Sequence, residues 1–176
     1  LVEVDGHCVL FDTGRHPDTI LRNARVLDID LTCITDVVLS HHHFDHTSGL
    51  GPLLGQLQNH DPDTTLRVHV AHGFFLPRQR PATGETERNQ MIGLRATLEE
   101  RGIEFIEHTG PTEILPTVWI TGPVERTHPE RNYSRDVRVQ LEGFWNEDYV
   151  PESQALSIVT PRGHIVLLGC GHSGVV

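Results

Sequence analysis

Four side chains that commonly bind metal ions lie close together, between Ser40 and His46. His41, His43, Asp45 and His46 stand in the order H-x-H-x-D-H. Imidazole nitrogens and carboxylate oxygens are the ligands that zinc and similar divalent ions prefer. The motif directly follows a short apolar stretch that is typical of a buried strand. The sequence therefore predicts a metal site in a loop at the end of a strand, with enough donors for two ions.

A chance cluster of surface histidines, or a remnant of an affinity tag, is the alternative explanation of this run. The run is internal and is interrupted in an ordered way by Phe44 and Asp45, which argues against a tag. His42 occupies the variable position between two candidate ligands, and we expect it to face solvent or to support its neighbours. Most other histidines are expected to be solvated or satisfied by nearby groups, including His60, His69, His72, His108 and His128.

Short strands and helices alternate along the rest of the sequence. Asp5-Gly6 is a strong hairpin signal between the first two strands. Strands are predicted at residues 1–4, 8–11, 35–40, 66–71, 104–106, 118–121, 155–160 and 165–169. Helices are predicted at 18–28, after a cap at Thr47 or Ser48, and at 88–101. Residues 77–87 and 122–151 are expected to be loops. This alternation predicts one layered α/β domain over residues 1–176.

The H-x-H-x-D-H motif after an apolar strand resembles the signature of the metallo-β-lactamase superfamily. Phe11-Asp12-Thr13-Gly14 is similar to the family's early strand and turn, and residues 116–123, 151–156 and 169–174 resemble one subgroup. Members of that subgroup are often named dihydropterin-ribofuranosylaminobenzene-phosphate-synthase-like. The resemblance implies a four-layer αββα sandwich. Since the chain opens on a strand and stops before the family's last metal-ligating histidine, we expect it to be truncated at both ends and the fold to be incomplete at the C-terminus.

The resemblance also implies a ligand set for two metals. His41 and His43 would bind the first metal, and Asp45 and His46 would bind the second. The ions would be zinc in the first instance, with manganese or iron as alternatives, because such ligands accept all three.

The third ligand of the first metal is less directly implied, because the family's usual H-x-P-G stretch is replaced by Pro151-Glu152-Ser153-Gln154. We predict His172 for this position, with Cys170 or Glu152 as alternatives. Cys170 ends an apolar strand and is also explained as a small buried hydrophobic residue. Asp12 is expected to lie beneath the metals and to orient a ligand histidine, or else to act only as a turn residue.

The implied chemistry is hydrolysis by a metal-activated hydroxide. Two divalent ions about 3.5–4 Å apart lower the pKa of a bridging water toward 7, and the hydroxide attacks a phosphoryl or carbonyl centre. Asp45 would be the catalytic residue that orients the hydroxide. The subgroup favours a phosphoester or a related small-molecule substrate. The alternatives are a non-catalytic or degenerate metal-binding fragment, and a nuclease of the same fold. A redox di-iron relative is disfavoured, since it would carry H-x-E-x-D with a carboxylate in place of His43.

Charge narrows the choice of partners. The chain has 14 basic and 24 acidic residues and a formal net charge of -10. Nucleic-acid-binding proteins usually present a basic surface to the phosphate backbone, so we expect neither nucleic acid nor an anionic membrane as a partner. A small-molecule substrate remains, and nothing in the sequence indicates an oligomeric state.

The three cysteines Cys8, Cys33 and Cys170 form no C-x-x-C pair. Free thiols in a reducing compartment are the simplest interpretation, and we therefore expect a cytoplasmic protein.

Overall fold

The computed structural model of the protein describes residues 1–85, 88–129 and 131–175. The strands in those residues are β1 (Val2–Val4), β2 (His7–Phe11), β3 (Ile34–Val38), β4 (Arg67–Ala71), β5 (Arg78–Gln79), β6 (Glu104–His108), β7 (Thr112–Leu115), β8 (Val118–Ile120), β9 (Arg138–Leu141), β10 (Phe144–Glu147), β11 (Ala155–Thr160) and β12 (Gly163–Leu168). The α-helices there are α1 (Thr19–Leu27), α2 (Phe44–Thr47), α3 (Leu50–His60) and α4 (Gln90–Glu99).

The first sheet has the strand order β1-β2-β3-β4-β6. Its edge strand β1 is antiparallel to β2, and the predicted hairpin turn is confirmed, with positive φ angles at Asp5 and Gly6. Strands β2, β3, β4 and β6 are parallel. The carboxyl ends of parallel strands lie at the same edge of a sheet, so the residues after β2 and after β3 come close together there.

The helices cover one face of this sheet. The predicted apolar stripe of α3 is confirmed: Leu50, Leu53, Leu54 and Leu57 are buried in a core with side chains of β2, β3 and β4. Met91 joins the same core from α4. Burying side chains of this size stabilises the fold by about 1.5–3 kcal/mol each. The helix layer therefore holds the sheet rigid beneath the histidine motif.

The second sheet packs against the other face of the first. It is antiparallel, with the order β12-β11-β8-β7. Val9 and Val38 of the first sheet share a buried cluster with Val118, Ile120 and Leu156 of the second. The described residues thus form a mixed α/β fold with one helix layer and two facing sheets, and β10, β9 and β5 form a further three-stranded sheet.

Several predicted loops and caps differ from the structure. Residues 77–85 contain β5 and a 3-10 turn at Pro81–Thr83, whereas residues 86 and 87 lie outside the described residues. The 122–151 segment contains the hairpin β9–β10, and β9 pairs with β5. Neither Thr47 nor Ser48 caps α3. Thr47 is the last residue of α2 and Ser48 follows it, and their hydroxyls donate to His43 O and Phe44 O.

The expectation of three free thiols is wrong. Cys8 and Cys33 form a disulfide, with 5.4 Å between their Cα atoms. In the sheet, Cys8 of β2 lies opposite Ile34, the first residue of the parallel strand β3. Cys33 directly precedes Ile34 in the sequence and is therefore close to Cys8. Cys170 is the free cysteine of the described residues. The disulfide removes the thiol-based argument for a cytoplasmic location. Within the described residues, every helix is too short or too polar to span a bilayer.

Candidate metal centre

The histidine motif and the loop after β12 meet at one edge of the first sheet. A Cβ atom on Gly169 would lie 2.2 Å from the Oγ atom of Ser40. That separation is too short for any side chain, so this approach of the two loops requires glycine. Gly169 therefore allows Cys170 and His172 to reach the side chains that follow β3.

His41, His43 and His172 form the first candidate group of ligands. The Nε2 atom of His41 lies 2.9 Å from the Nδ1 atom of His43. The ring centroid of His172 lies 4.7 Å from that of His41 and 5.0 Å from that of His43. One nitrogen from each ring falls within 4.8 Å of the others. Three imidazoles at this spacing are a suitable donor set for one divalent cation.

The orientation of His172 fits a bound cation. Its Nδ1 atom donates to the carbonyl oxygen of Asn132, at 2.8 Å. Its Nε2 atom is buried and has no hydrogen-bond partner among the described residues. A buried nitrogen without a partner carries a desolvation cost that a metal ion at this position would remove. The geometry of the chain itself thus favours a cation here.

Ser40 and Asp12 orient His41. The hydroxyl of Ser40 donates to Asp12 Oδ2 at 2.7 Å, so its oxygen accepts from the Nδ1 atom of His41 at 2.9 Å. That leaves the Nε2 lone pair of His41 directed at His43. Ser40 directly precedes the motif and was not predicted as a site residue. Its position directly before the first histidine is the only sequence signal for this role.

Burial keeps these imidazoles unprotonated. It lowers the pKa of His41 far below the usual value, and the neighbouring imidazoles lower it further. It lowers the pKa of His43 to about 3, with smaller contributions from His42 and His172. The pKa of His172 is also lowered, mainly by burial. Neutral imidazoles carry the lone pair that a metal ion requires, so these side chains are ready ligands at neutral pH.

His41, His46 and Cys170 form a second candidate group. The Nε2 atom of His46 lies 3.1 Å from the Sγ atom of Cys170. Burial raises the pKa of the Cys170 thiol, and the carboxylates of Asp45 and Asp12 raise it further. A divalent cation between these groups would reverse that effect, because it deprotonates a coordinating thiol. The donor set of two imidazoles and a thiol suits a soft divalent ion such as zinc.

Asp45 lies at the rim of the second group. Its Oδ2 atom is 3.8 Å from the Nε2 atom of His46, and 44% of its side chain is exposed. The structure thus places Asp45 beside the predicted second metal, but not within either of the two tight clusters of donor atoms. Its carboxylate faces the solvent-accessible side of the centre.

Asp12 accepts hydrogen bonds from Ser40 and His46 and thereby orients the motif. It accepts from the backbone N–H of Ser40 at 2.7 Å and from the Nδ1 atom of His46 at 2.6 Å. Burial lowers the pKa of His46, but the hydrogen bond and charge of Asp12 outweigh burial and raise it. Since Nδ1 is used in this way, Nε2 of His46 is directed toward Cys170.

Glu152 and His42 lie behind the centre, where they form a buried ion network with Arg78. Glu152 Oε1 accepts from the Nδ1 atom of His42 at 2.6 Å, and Oε2 lies 2.5 Å from Nη2 of Arg78. Burial raises the pKa of Glu152, but Arg78 and His42 outweigh it and lower the pKa to about 2. Both oxygens are occupied, so Glu152 is not placed as a metal ligand. Arg78 was missed in the sequence, since it lies in a predicted loop 74 residues from Glu152.

A second pair of buried histidines lies between the two sheets. The Nε2 atom of His69 donates to Asp36 Oδ1 at 2.8 Å, and its Nδ1 atom lies 3.0 Å from Nε2 of His108. Arg67 makes two further hydrogen bonds to the Asp36 carboxylate. Every nitrogen of His69 therefore has a partner, as expected for a histidine satisfied by its neighbours.

Comparison with known sequences gives the family of the chain. The family model of the metallo-beta-lactamase superfamily matches residues 1–123. The chain is 27% identical over 190 residues to a Methanocaldococcus jannaschii protein named 7,8-dihydropterin-6-methyl-4-(beta-D-ribofuranosyl)-aminobenzene-5'-phosphate synthase. It is 24% identical over 182 residues to an uncharacterized protein of the same archaeon. These alignments cover all of this chain but 61% and 62% of the relatives, so the chain spans about three fifths of their length.

Solved structures give the same fold. A metal-dependent hydrolase of the beta-lactamase superfamily superposes with a TM-score of 0.67 at 27% identity, over 94% of this chain and 57% of that one. An N-acyl homoserine lactone hydrolase, with its product bound at the catalytic metal center, superposes with a TM-score of 0.54 at 15% identity, over 94% of this chain and 60% of that one. Since the family model also spans well over half of the sequence, the chain belongs to the metallo-β-lactamase superfamily.

Proposed function

We propose that the protein is a metal-dependent hydrolase of a phosphoester or a related small molecule. The observation that carries this proposal is the convergence of His41, His43 and His172 around a buried Nε2 atom of His172 that has no hydrogen-bond partner among the described residues. The second group, His41, His46 and Cys170, shares His41 with the first and supports a site for two ions. Zinc is the first choice of metal, with manganese and iron as alternatives.

Each residue of the centre has a proposed role. His41, His43 and His172 hold the first ion, whereas His46, Cys170 and Asp45 hold the second. When bound, such ions stabilise negative charge on a reacting oxygen and lower the pKa of water. Asp45 exposes its carboxylate at the rim, where it accepts a proton from the attacking water. Asp12 keeps His46 and, through Ser40, His41 in the ligating orientation.

The net charge of the chain favours a small substrate over nucleic acid. The chain has a formal net charge of -10, so it lacks the excess of basic side chains that a phosphate backbone requires. We therefore propose a small-molecule partner.

The test is hydrolysis of bis(p-nitrophenyl) phosphate and p-nitrophenyl phosphate by protein loaded with zinc, manganese or iron. Wild-type protein should release nitrophenolate well above the level of His43→Ala. Asp45→Asn should lower kcat by about 100-fold, the lower range for a general base, while the first ion, held by His41, His43 and His172, is retained. Equal turnover by wild type and His43→Ala would contradict the proposal. Folded, metal-free wild type without turnover would favour a non-catalytic protein instead.

A synthase is the second candidate function, because the relative with that name is aligned with the whole of this chain. In that case the centre would act on a pterin or a ribofuranosyl-aminobenzene phosphate rather than on an ester bond. Metal-loaded protein is incubated with a ribofuranosyl-aminobenzene phosphate and a 7,8-dihydropterin that carries a leaving group on its 6-methyl carbon, and mass spectrometry detects the joined product and the released leaving group. A joined product would favour the synthase, and products of hydrolysis alone would exclude it.

A further inference from the structure

A cavity of about 340 Å³ opens directly beside the metal centre. Its lining includes His43, Phe44 and Asp45 of the motif loop together with Arg80 and Arg88. A volume of this size is typical of small-molecule sites. The cavity therefore connects the proposed reactive atoms to two guanidinium groups that the proposed chemistry does not use.

Among the described residues, the two arginines are half-buried and their carboxylate partners are partly exposed. The Nε atom of Arg80 lies 3.0 Å from Oδ2 of Asp136, and the Nε atom of Arg88 lies 3.0 Å from Oε2 of Glu85. About half of each of these carboxylates is exposed, whereas 29% of each arginine side chain is exposed. Surface ion pairs of this kind contribute little free energy. An anion that enters the cavity can therefore replace the carboxylates as the partner of the arginines.

The segment that carries the arginines is anchored to the metal centre. The backbone N–H of Arg80 donates to Glu85 O, and that of Arg88 donates to the carbonyl oxygen of Arg78. The side chain of Arg78 is fully buried against Glu152, which in turn binds His42 of the motif. These contacts place the backbone of Arg80 and Arg88 close to the ligands of the metals, so that both side chains reach the cavity.

We infer that this cavity is a phosphate-binding subsite, in which Arg80 and Arg88 hold the non-reacting phosphate of a small phosphorylated substrate while its scissile bond lies at the metals. Guanidinium groups bind phosphate through paired, charge-assisted hydrogen bonds, which makes arginine the side chain best suited to this ligand. Asp45 and Glu85 also line the cavity. A carboxylate also pairs with one guanidinium group, but it has two oxygens and one negative charge, whereas a phosphate has at least three acceptor oxygens and up to two charges and can engage both arginines at once. The subsite therefore favours phosphate over a carboxylate. This inference rests on the proposed function, because it assigns a substrate class to the same centre.

The test is the affinity of inorganic phosphate for the zinc-loaded protein, measured by isothermal titration calorimetry with acetate as the competing anion. Arg80→Ala and Arg88→Ala should each weaken phosphate binding by about tenfold or more, as expected for the loss of a charged hydrogen-bond partner. Arg88→Lys should retain part of the affinity, because it keeps the charge but not the paired geometry. If Arg88→Ala does not fold, Arg88→Gln provides the same comparison.

Arg162→Ala is the matched control. Arg162 is an exposed residue in the turn between β11 and β12, at the end of the hairpin opposite to Cys170, and its removal should leave phosphate affinity unchanged. Metal content is measured in every variant. Equal phosphate affinity in wild type, Arg80→Ala and Arg88→Ala would overturn the subsite even if the protein hydrolyses esters, and so would tighter binding of acetate than of phosphate. Arginine-dependent phosphate binding without any ester hydrolysis would support the subsite and refute the proposed hydrolysis.

Discussion

Two groups of buried histidines in this protein differ in what surrounds them. Between the sheets, His69 contacts Asp36 with one nitrogen and His108 with the other. At the end of β3, His41, His43 and His172 face one another, and the Nε2 atom of His172 has no hydrogen-bond partner among the described residues. The first group is complete without a ligand, whereas the second requires one. Burial of histidines alone therefore does not identify a metal site. A buried ring nitrogen without a hydrogen-bond partner, such as Nε2 of His172, does indicate one.

The charges of the two groups support the same distinction. Burial raises the pKa of Asp36, but hydrogen bonds from His69 and Arg67 outweigh burial and hold it well below the usual value. The inter-sheet group thus contains both a carboxylate and its own cation, Arg67. The group of His41, His43 and His172 contains only neutral imidazoles. A divalent ion would supply the positive charge that the first group already has.

The largest expected effect is on stability, from Asp36→Ala in the inter-sheet group. Removal of this buried carboxylate leaves His69 and Arg67 without their partner, and breaking a buried pair costs about 3–5 kcal/mol. We expect a loss of about 3 kcal/mol in the free energy of unfolding, because Arg67 is partly exposed and can turn toward water. Urea denaturation measures this loss, and the metal content of the folded variant should match that of wild type. A loss of metal would erase the distinction between the two groups.

His172→Ala should mainly weaken metal binding, whereas Asp36→Ala should mainly lower the stability of the fold. The variant loses a direct ligand, and we expect the affinity of the first ion to fall by more than the 10- to 100-fold that is typical for the loss of a residue that only orients a ligand. The metal-free protein should lose only about 1 kcal/mol in its free energy of unfolding, from the hydrogen bond that Nδ1 of His172 donates to Asn132, which is less than the loss expected for Asp36→Ala. Zinc titration with a competing chelator gives the affinity, and thermal unfolding of the metal-free form gives the stability. Wild-type affinity in this variant would remove His172 from the centre.

Asp12→Asn should have a smaller effect on the metal centre. Asparagine keeps the shape of the side chain but loses the charge that orients His46 and, through Ser40, His41. We expect a decrease of about tenfold in metal affinity, at the lower end of the effect of outer residues. The same chelator titration measures it. If affinity were unchanged, Asp12 would be a turn residue without influence on the ligands.

The smallest expected effect is the dependence of the free energy of unfolding on pH that results from Asp36 in the inter-sheet group. The folded pKa of Asp36 lies below the unfolded value of about 3.9, so the unfolded chain takes up this proton first as the pH falls. Asp36 therefore contributes stability above about pH 4 and loses it as the pH falls toward the folded pKa. Between pH 4 and 3, the free energy of unfolding of wild type should decrease by up to about 1.4 kcal/mol more than that of Asp36→Asn. Parallel pH profiles of the two proteins would contradict this account.

Local sequence patterns predicted the metal-binding loop but not its surroundings. The spacing of His41, His43 and His46 after an apolar strand is a local signal, and the structure brings their side chains together. The role of Arg78 depends on Glu152, 74 residues away, and such a pair leaves no local pattern. Asn132, which fixes the tautomer of His172, lies in a segment without periodicity.

The same limit applies to the fold. Strands with an apolar face, such as β3 and β11, were predicted because their side chains report burial directly. The two-residue strand β5 and its partner β9 exist only through their pairing across about 60 residues. The disulfide between Cys8 and Cys33 likewise depends on the register of β2 and β3, which spacing alone does not define.

The central claim is that the histidines after β3, and not those between the sheets, bind metal. The most direct test is the metal content per folded chain, by elemental analysis of protein purified without a chelating resin. The account predicts two divalent ions in wild type and in His69→Ala, and the loss of at least one in His43→Ala, with folding of each variant verified by circular dichroism. Equal metal content in His43→Ala and wild type, or metal lost from His69→Ala alone, would contradict it.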